Sequence, residues 1–212
     1  MTSCTAPCRG DRGLTLVELI LVLAILLIAA LLTWPALINQ IYHAKARGRA
    51  EEMARHLLVA RLEAMKLGRA VVARPDYLRQ SLYAFVDDDE DLTFDPGEDL
   101  LWVLSGATAA HRDLLLMGPT GAPGSDADPA GSVDGFTAVG GSPARAAVFE
   151  ADGSVRDPGA FRIADRRQPR RNAFEIRVEP QATARVEVRK YVYDGPSGTG
   201  FYSAGGGTWQ WY

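Results

Sequence analysis

The longest apolar run of the chain lies near its N-terminus. Between Leu14 and Leu32 only Thr15 and Glu18 are not apolar. A helix of this run rises about 1.5 Å per residue and is therefore as long as the hydrocarbon core of a bilayer is thick. The pattern predicts one membrane-spanning helix.

Two other kinds of segment compete with that interpretation. A secretory signal peptide has an apolar core of about 7–15 residues and an Ala-x-Ala-like cleavage site, and neither its length nor the acid at Glu18 fits. A plain single-pass anchor explains the length but not Glu18. A carboxylate at membrane depth costs roughly 2.5–3.5 kcal/mol, so Glu18 indicates a function and needs a partner.

A second helical pattern follows from Ala36 to Leu67, where strong helix formers dominate. Gly68, which comes after Lys66 in the last turn, predicts a left-handed cap at the end of the helix. His43 and His56 lie among charged residues and are expected to point to solvent. The stripe expected to face a sheet consists of Met53, Leu57, Leu58, Arg61, Leu62 and Met65.

Beyond Gly68 the apolar pattern changes to a period of two, which is typical of strands. The Gly-, Ala-, Pro- and Asp-rich stretch between Ser105 and Ala144 is expected to form surface loops. The fold class is α+β, a long N-terminal helix packed on a mostly antiparallel sheet or two-sheet sandwich. The expected strands are 70–74, 82–86, 100–104, 114–117, 136–139, 145–150, 160–163, 173–178 and 185–193.

Composition narrows the classes of function. A chain of 212 residues with a formal net charge of −3 is a poor candidate for sequence-independent nucleic-acid binding, which depends on basic surface. Cys4 and Cys8 both precede Gly13, and no second ligand pair follows to complete a zinc site. The sequence has no H-E-x-x-H, G-x-S-x-G or phosphate-binding loop pattern, so no enzyme is predicted.

The residues from Gly13 to Glu18 carry a more specific pattern: Gly, an aliphatic residue, Thr, Leu, an aliphatic residue and Glu. This segment resembles the leader of type IV pilins and pseudopilins. The resemblance implies that a prepilin peptidase cuts between Gly13 and Leu14 and methylates the new amine of Leu14. It also implies that Pro35, inside the helix, removes one backbone hydrogen bond and bends or locally melts the helix.

Glu18 then has an expected partner. In a bundle of stacked subunits its carboxylate can pair with the amine of Leu14 on a neighbouring helix, where an unpaired charge is very costly. The expected gain is a defined register between subunits.

The second half of the chain resembles GspH/FimT-type pseudopilins. Residues 82–89 and 96–101 resemble their FVD…D…GE.LL stretch, residues 148–154 their strand and Asp-Gly turn, and residues 174–188 their final hairpin. The resemblance implies a minor pseudopilin, a structural subunit of the periplasmic pseudopilus of a type II secretion system, or a minor pilin of a type IV pilus. The implied partners are other pseudopilins and the inner-membrane assembly platform.

The resemblance implies a single-pass protein of the inner membrane with its C-terminal domain in the periplasm. The aromatic side chains of the tail are expected either to form a contact surface or to fold back onto the sheet. The expected segments are a cleaved leader, 1–13; a transmembrane and assembly helix, 14–35; the amphipathic half of the helix, 36–67; a periplasmic β domain, 68–194; and a Gly/aromatic tail, 195–212.

An acidic stretch after residue 86 is the candidate metal site. Its oxygen-bearing residues have the spacing 1, 3, 5, 7, 9 and 12 of an EF-hand loop, which wraps alternate oxygens around one calcium ion. However, Leu92 stands where that loop needs Gly, and Pro96 intrudes. A calcium site and a solvated acidic turn remain alternatives, and no other cofactor is expected. The residues are Asp87, Asp89, Asp91, Thr93, Asp95 and Glu98.

One basic group is the candidate for nucleic acid, and it consists of Arg162, Arg166, Arg167, Arg170, Arg171 and Arg177. Some FimT-like proteins bind DNA through a Gly-Arg-x-Arg motif, but the stretch from Ala184 to Glu187 lacks both the Gly and the second Arg. A solvated loop is therefore expected. A DNA-binding minor pilin and a membrane-anchored hydrolase are the alternative functions.

Overall fold

The computed structural model of the chain describes residues 15–105, 114–117, 135–140, 144–165, 172–193 and 207–211. The chain divides into two compact units, one that ends at Ile41 and one that begins at Tyr42. The leader, most of the stretch between Ser105 and Ala144, and most of the tail lie outside the described residues.

Helix α1 runs from Leu16 to Leu67 without interruption. It continues through Pro35, so the helix is not locally melted there. At its end Gly68 has a φ of 67°, and its N–H donates to the carbonyl oxygen of Ala64 at 2.9 Å. This is the left-handed cap that the sequence predicts.

In the first unit the apolar side chains of α1 face outward. Leu16 is 73% exposed and Leu32 is 76% exposed, and the large aliphatic side chains between them are exposed as well. The hydroxyl of Thr33 donates to the carbonyl oxygen of Ala29 at 3.0 Å, which satisfies this polar group within the apolar helix. By length and composition the helix can cross a membrane.

The described strands of the second unit form two antiparallel sheets. The strands are β1 (Val71–Asp76), β2 (Ser81–Val86), β3 (Leu100–Ser105), β4 (Leu114–Met117), β5 (Thr137–Ala138), β6 (Arg145–Phe149), β7 (Gly159–Asp165), β8 (Ala173–Val178), β9 (Val186–Tyr193) and β10 (Gly207–Trp211). The first sheet has the order β3-β2-β1-β6-β5, and the second has the order β10-β9-β8-β7-β4. The predicted α+β class, with a helix and two sheets, is confirmed.

The strand positions were predictable to within a few residues, except for β10. This strand pairs with β9, and Gly207 lies opposite Tyr193 while Trp211 lies opposite Arg189. The sequence around β10 is rich in glycine and did not predict a strand, because Gly is depleted in strands. The backbone of this part of the tail therefore forms the edge of the second sheet, whereas the aromatic side chains of β10 lie outside the described set.

One core cluster joins α1 to both sheets. The first sheet contributes residues such as Val71 and Phe149, and the second contributes residues such as Phe161 and Phe174. Alanine is the most frequent residue on the helical side of this core. The helical residues are Ala46, Ala50, Met53, Leu57, Ala60 and Ala64.

The predicted buried stripe of α1 is therefore partly wrong. Met53 and Leu57 are buried, but Leu58, Leu62 and Met65 are 39%, 58% and 40% exposed. The prediction followed the large apolar residues of the helix, whereas alanines at a spacing of three and four residues occupy most of the buried face.

The prediction that His43 and His56 point to solvent is also wrong. The ring of His43 lies 5.5 Å from that of Phe174 in β8, and the ring of His56 lies 4.8 Å from that of Trp102 in β3. Each histidine thus connects α1 to a different sheet. Burial lowers the pKa of both; for His43 the charges of Lys190 and Arg47 lower it further.

The turn that follows β6 lies directly against α1. The side chain of Arg61 donates to the carbonyl oxygen of Gly153 at 2.7 Å. Gly153 has a φ of 81°, and a Cβ atom there would lie 2.5 Å from the sulfur of Met65. Glycine is favoured at this turn for its left-handed backbone conformation, whereas the flexible side chain of Met65 can move away from an added Cβ.

Gly153→Ala should lower the free energy of unfolding of the full chain in detergent by about 1–2 kcal/mol, because a left-handed backbone opposes Cβ. Denaturant unfolding followed by circular dichroism measures the change. Gly140→Ala is the matched control, because no atom lies within 4 Å of its added Cβ and its φ is ordinary. Equal stability of the two variants would contradict this account of the turn.

Stability should also fall on mild acidification. The pKa of His43 and His56 lies below its ordinary value in the folded chain, so the unfolded chain takes up protons first as the pH falls. Their contribution is complete above about pH 6.5 and is lost as the pH drops from there toward the folded pKa.

The measurement is the melting temperature of the full chain between about pH 8 and pH 5.5, a window chosen to contain the ordinary histidine pKa. The combined His43→Gln and His56→Gln variant should show a flatter pH dependence than the parent, whatever its absolute stability. The same slope in both proteins would show that these histidines do not carry the effect.

Candidate functional site

Two groups of residues are candidates for function, the start of α1 and the acidic loop. Gly13 and Leu14, the predicted processing residues, lie outside the residues that the structure describes. Glu18 lies in the first turn of α1 and is exposed. Pro35 lies within the same helix.

The first turn of α1 is capped by its own side chains. Thr15 precedes the helix, and its hydroxyl oxygen accepts a hydrogen bond from the N–H of Glu18 at 3.3 Å. A Thr followed three residues later by Glu is the arrangement of a capping box. An acidic side chain in the first turn also complements the helix dipole. The backbone of Glu18 therefore takes part in a local cap, in addition to the pairing expected of its carboxylate.

The loop between β2 and β3 brings together three of the six predicted metal ligands. Asp87, Asp89 and Asp91 each have a carboxylate oxygen within 4.8 Å of the oxygens of the other two. Asp87 is only 4% exposed, while Asp89 and Asp91 face solvent. Asp95 and Glu98 do not join this group.

Glu98 closes the loop instead. One oxygen of its carboxylate accepts the N–H of Asp88 at 3.1 Å, and the other accepts the N–H of Asp95 at 2.8 Å. These two bonds tie the beginning of the loop to its end.

Leu92 makes the sharp turn for which an EF-hand loop uses glycine. Its φ is 64°, a left-handed conformation that costs a residue with a Cβ about 1–2 kcal/mol. The side chain is buried in a cluster with Val72, Phe85 and Val148, and burial of a leucine offsets a cost of this size. Its N–H donates to Oδ2 of Asp87 at 3.3 Å.

The surroundings of Asp87 are unfavourable to its charge. Burial raises the pKa of Asp87, the N–H of Leu92 opposes that rise, and the charges of Glu98, Asp89 and Asp91 add to it. Its Oδ1 is buried and has no hydrogen-bond partner in the described part of the chain.

Two arginines hold the outside of the loop. The guanidinium of Arg69 binds the carboxylate of Asp88 at 2.8 Å, and that of Arg74 binds the carbonyl oxygen of Leu92 at 3.1 Å. Both cations are thus directed at groups beside the three clustered carboxylates.

The candidate nucleic-acid group is largely neutralised where it is described. Arg162 is buried and binds Glu175 at 2.8 Å, so the prediction of a solvated loop is wrong for this residue. Arg177 binds Glu179 at 2.7 Å. Arg166, Arg167, Arg170 and Arg171 lie outside the described residues.

Arginine and glutamate side chains also pair around β9, at the position that corresponds to the DNA-binding motif of FimT-like proteins. Arg185 binds Glu187 at 2.8 Å, and Arg189 binds Glu179 at 2.6 Å. Although burial works against it, the guanidiniums of Arg177 and Arg189 lower the pKa of Glu179. These arginines are committed to carboxylates, and the DNA-binding alternative is not favoured.

Comparisons with known proteins match both halves of the chain. A family model described as the prokaryotic N-terminal methylation motif matches residues 8–34, and one described as type II transport protein GspH matches residues 49–182. A solved structure, the minor pseudopilin EpsH from the type 2 secretion system of Vibrio cholerae, is similar with a TM-score of 0.41 and 16% identity. The match covers 67% of this chain and 95% of that chain. No curated protein matches.

Proposed function

The chain belongs to the GspH family of type II transport proteins. We propose that it is a minor pseudopilin of the type II secretion system and that it enters the pseudopilus through α1. As a structural subunit it needs no catalytic residues, and none is proposed.

Processing comes first in this proposal. A prepilin peptidase removes the leader between Gly13 and Leu14 and methylates the amine of Leu14. The support is the methylation-motif match over residues 8–34, which contains this junction. Before assembly the subunit resides in the inner membrane with its C-terminal domain in the periplasm, which agrees with the exposed apolar surface of α1.

The observation that carries the assembly step is the exposed apolar run on a helix that has an acid in its first turn. Such a surface is stable in lipid or against other apolar helices, but not in water. Helices from other pseudopilins can cover it when the subunit leaves the membrane. The inner-membrane assembly platform is the proposed site of that transfer.

Glu18 sets the register of this packing. Its backbone N–H is used by the cap of Thr15, while its carboxylate is exposed and can reach the amine of Leu14 on a neighbouring subunit. Capping and pairing use different atoms of Glu18, so both roles are compatible. The pair forms in an apolar bundle, where either charge alone is strongly unfavourable.

Glu18→Gln separates the two roles, because it keeps the backbone N–H that the hydroxyl of Thr15 caps but removes the charge of the side chain. The variant should insert and be cleaved, since losing an acid makes an apolar segment easier to insert. It should fail to enter the fibre, because leaving one charge of a buried pair alone costs about 3–5 kcal/mol. Immunoblots of the membrane fraction and of sheared fibres measure the distribution.

Thr15→Ala is the matched control. It weakens the cap by about 0.5–2 kcal/mol but retains the carboxylate of Glu18, so it should still assemble. Mass spectrometry establishes that both variants are processed before assembly is compared. Normal assembly of Glu18→Gln would overturn the pairing, and failure of Thr15→Ala beside it would show that assembly needs the cap of Thr15 instead.

A further inference from the structure

The loop between β2 and β3 contains a feature that assembly through α1 does not use. We propose that Asp87, Asp89 and Asp91 bind a calcium ion there. This inference concerns the β domain and does not depend on how α1 enters the pseudopilus.

Clustered acidic side chains on a surface are common and do not by themselves make a site. In this loop the acidic side chains are close enough to share one ion, because the three carboxylates have oxygens within 4.8 Å of one another. Alternate residues of one loop provide them, which is how calcium loops surround an ion with oxygens from a short segment.

Asp87 provides the second observation. It is only 4% exposed, and its Oδ1 is buried without a hydrogen-bond partner among the described residues. A buried carboxylate oxygen of this kind needs a partner, because its hydration has been lost. The carboxylate of Asp87 also lies beside those of Asp89 and Asp91, so a cation bound between the three would give this buried group a partner and remove their mutual repulsion.

The arginines near the loop do not supply that cation. Arg69 binds Asp88, and Arg74 binds the carbonyl oxygen of Leu92. Neither contact satisfies Oδ1 of Asp87, which remains unpartnered in their presence.

Contacts within the chain also hold the loop in its conformation. Leu92 anchors the middle of the loop in the apolar cluster and holds Oδ2 of Asp87 through its N–H. Glu98 ties the N–H groups of Asp88 and Asp95 together. Preorganisation of this kind reduces the entropy that binding must overcome.

The donor atoms decide which cation fits. Carboxylate oxygens without sulfur or imidazole ligands favour a hard divalent cation. Calcium accepts six to eight oxygens in a flexible arrangement and can complete its shell with carbonyl groups and water, whereas magnesium requires a near-ideal octahedron. Three clustered carboxylates on one loop suit calcium better.

The test uses the full chain in detergent, stripped of metal with a chelator and then titrated with calcium chloride. Its melting temperature should rise in a saturable manner, with a dissociation constant of about 10⁻⁴–10⁻³ M, the range of extracellular calcium modules. Magnesium chloride at the same concentration should give a smaller rise. Isothermal titration calorimetry gives the stoichiometry, which should be one ion per chain.

Asp89→Asn should weaken calcium binding at least tenfold, because it removes one of the three charged ligands. Asp88→Asn is the matched control: it removes the same charge from the same loop, but Asp88 is outside the cluster and pairs with Arg69. It should bind calcium as the parent does. Asp91→Asn provides a second ligand variant in case Asp89→Asn does not fold.

Two results would overturn the site. One is the absence of any rise in melting temperature of the parent at about 10⁻² M calcium, well above the expected dissociation constant. The other is an equal loss of binding in Asp88→Asn and Asp89→Asn, which would indicate general charge screening instead of a defined site. Neither result bears on fibre assembly, so the two proposals fail independently.

Discussion

Helix α1 must satisfy two different surroundings with one continuous backbone. In the first unit its large aliphatic side chains are exposed, and an apolar environment has to cover them. In the second unit the same helix buries a narrow stripe, mostly of alanine, in a core shared with two sheets. The length, composition and polarity of the helix all follow from these two requirements.

The second requirement explains how one helix holds the β domain. Alanines form most of the buried face of the helix, and longer side chains on α1 contact both sheets and a turn. His43 contacts Phe174, His56 contacts Trp102, and Arg61 binds the turn at Gly153. These contacts therefore link α1 to both sheets and to the turn after β6.

The fold was predictable from the sequence wherever a local rule applies. A period of two identified most strands, and Gly68 was recognised as the end of the helix because left-handed backbone favours Gly. The buried stripe of α1 was not predictable in this way, because alanine gives a weak hydrophobic pattern. Strand β10 was missed for a related reason, since its stability comes from pairing with β9 and not from its own composition.

The candidate metal site was predictable in position but not in detail. Spacing alone treated Asp87, Asp95 and Glu98 as equivalent ligands. In the folded loop these residues are not equivalent. Leu92 takes a left-handed conformation within an apolar cluster, and the carboxylate of Glu98 accepts backbone hydrogen bonds that close the loop. A sequence pattern contains no record of such tertiary contacts.

The central claim is that α1 becomes an assembly helix once the leader has been removed. Mass analysis of the N-terminus of the chain, isolated from cells with an active prepilin peptidase, tests it most directly. The account predicts a product that begins at Leu14 with a methylated amine, and it predicts impaired cleavage in Gly13→Ala. A product that still begins at Met1 in those cells would contradict it.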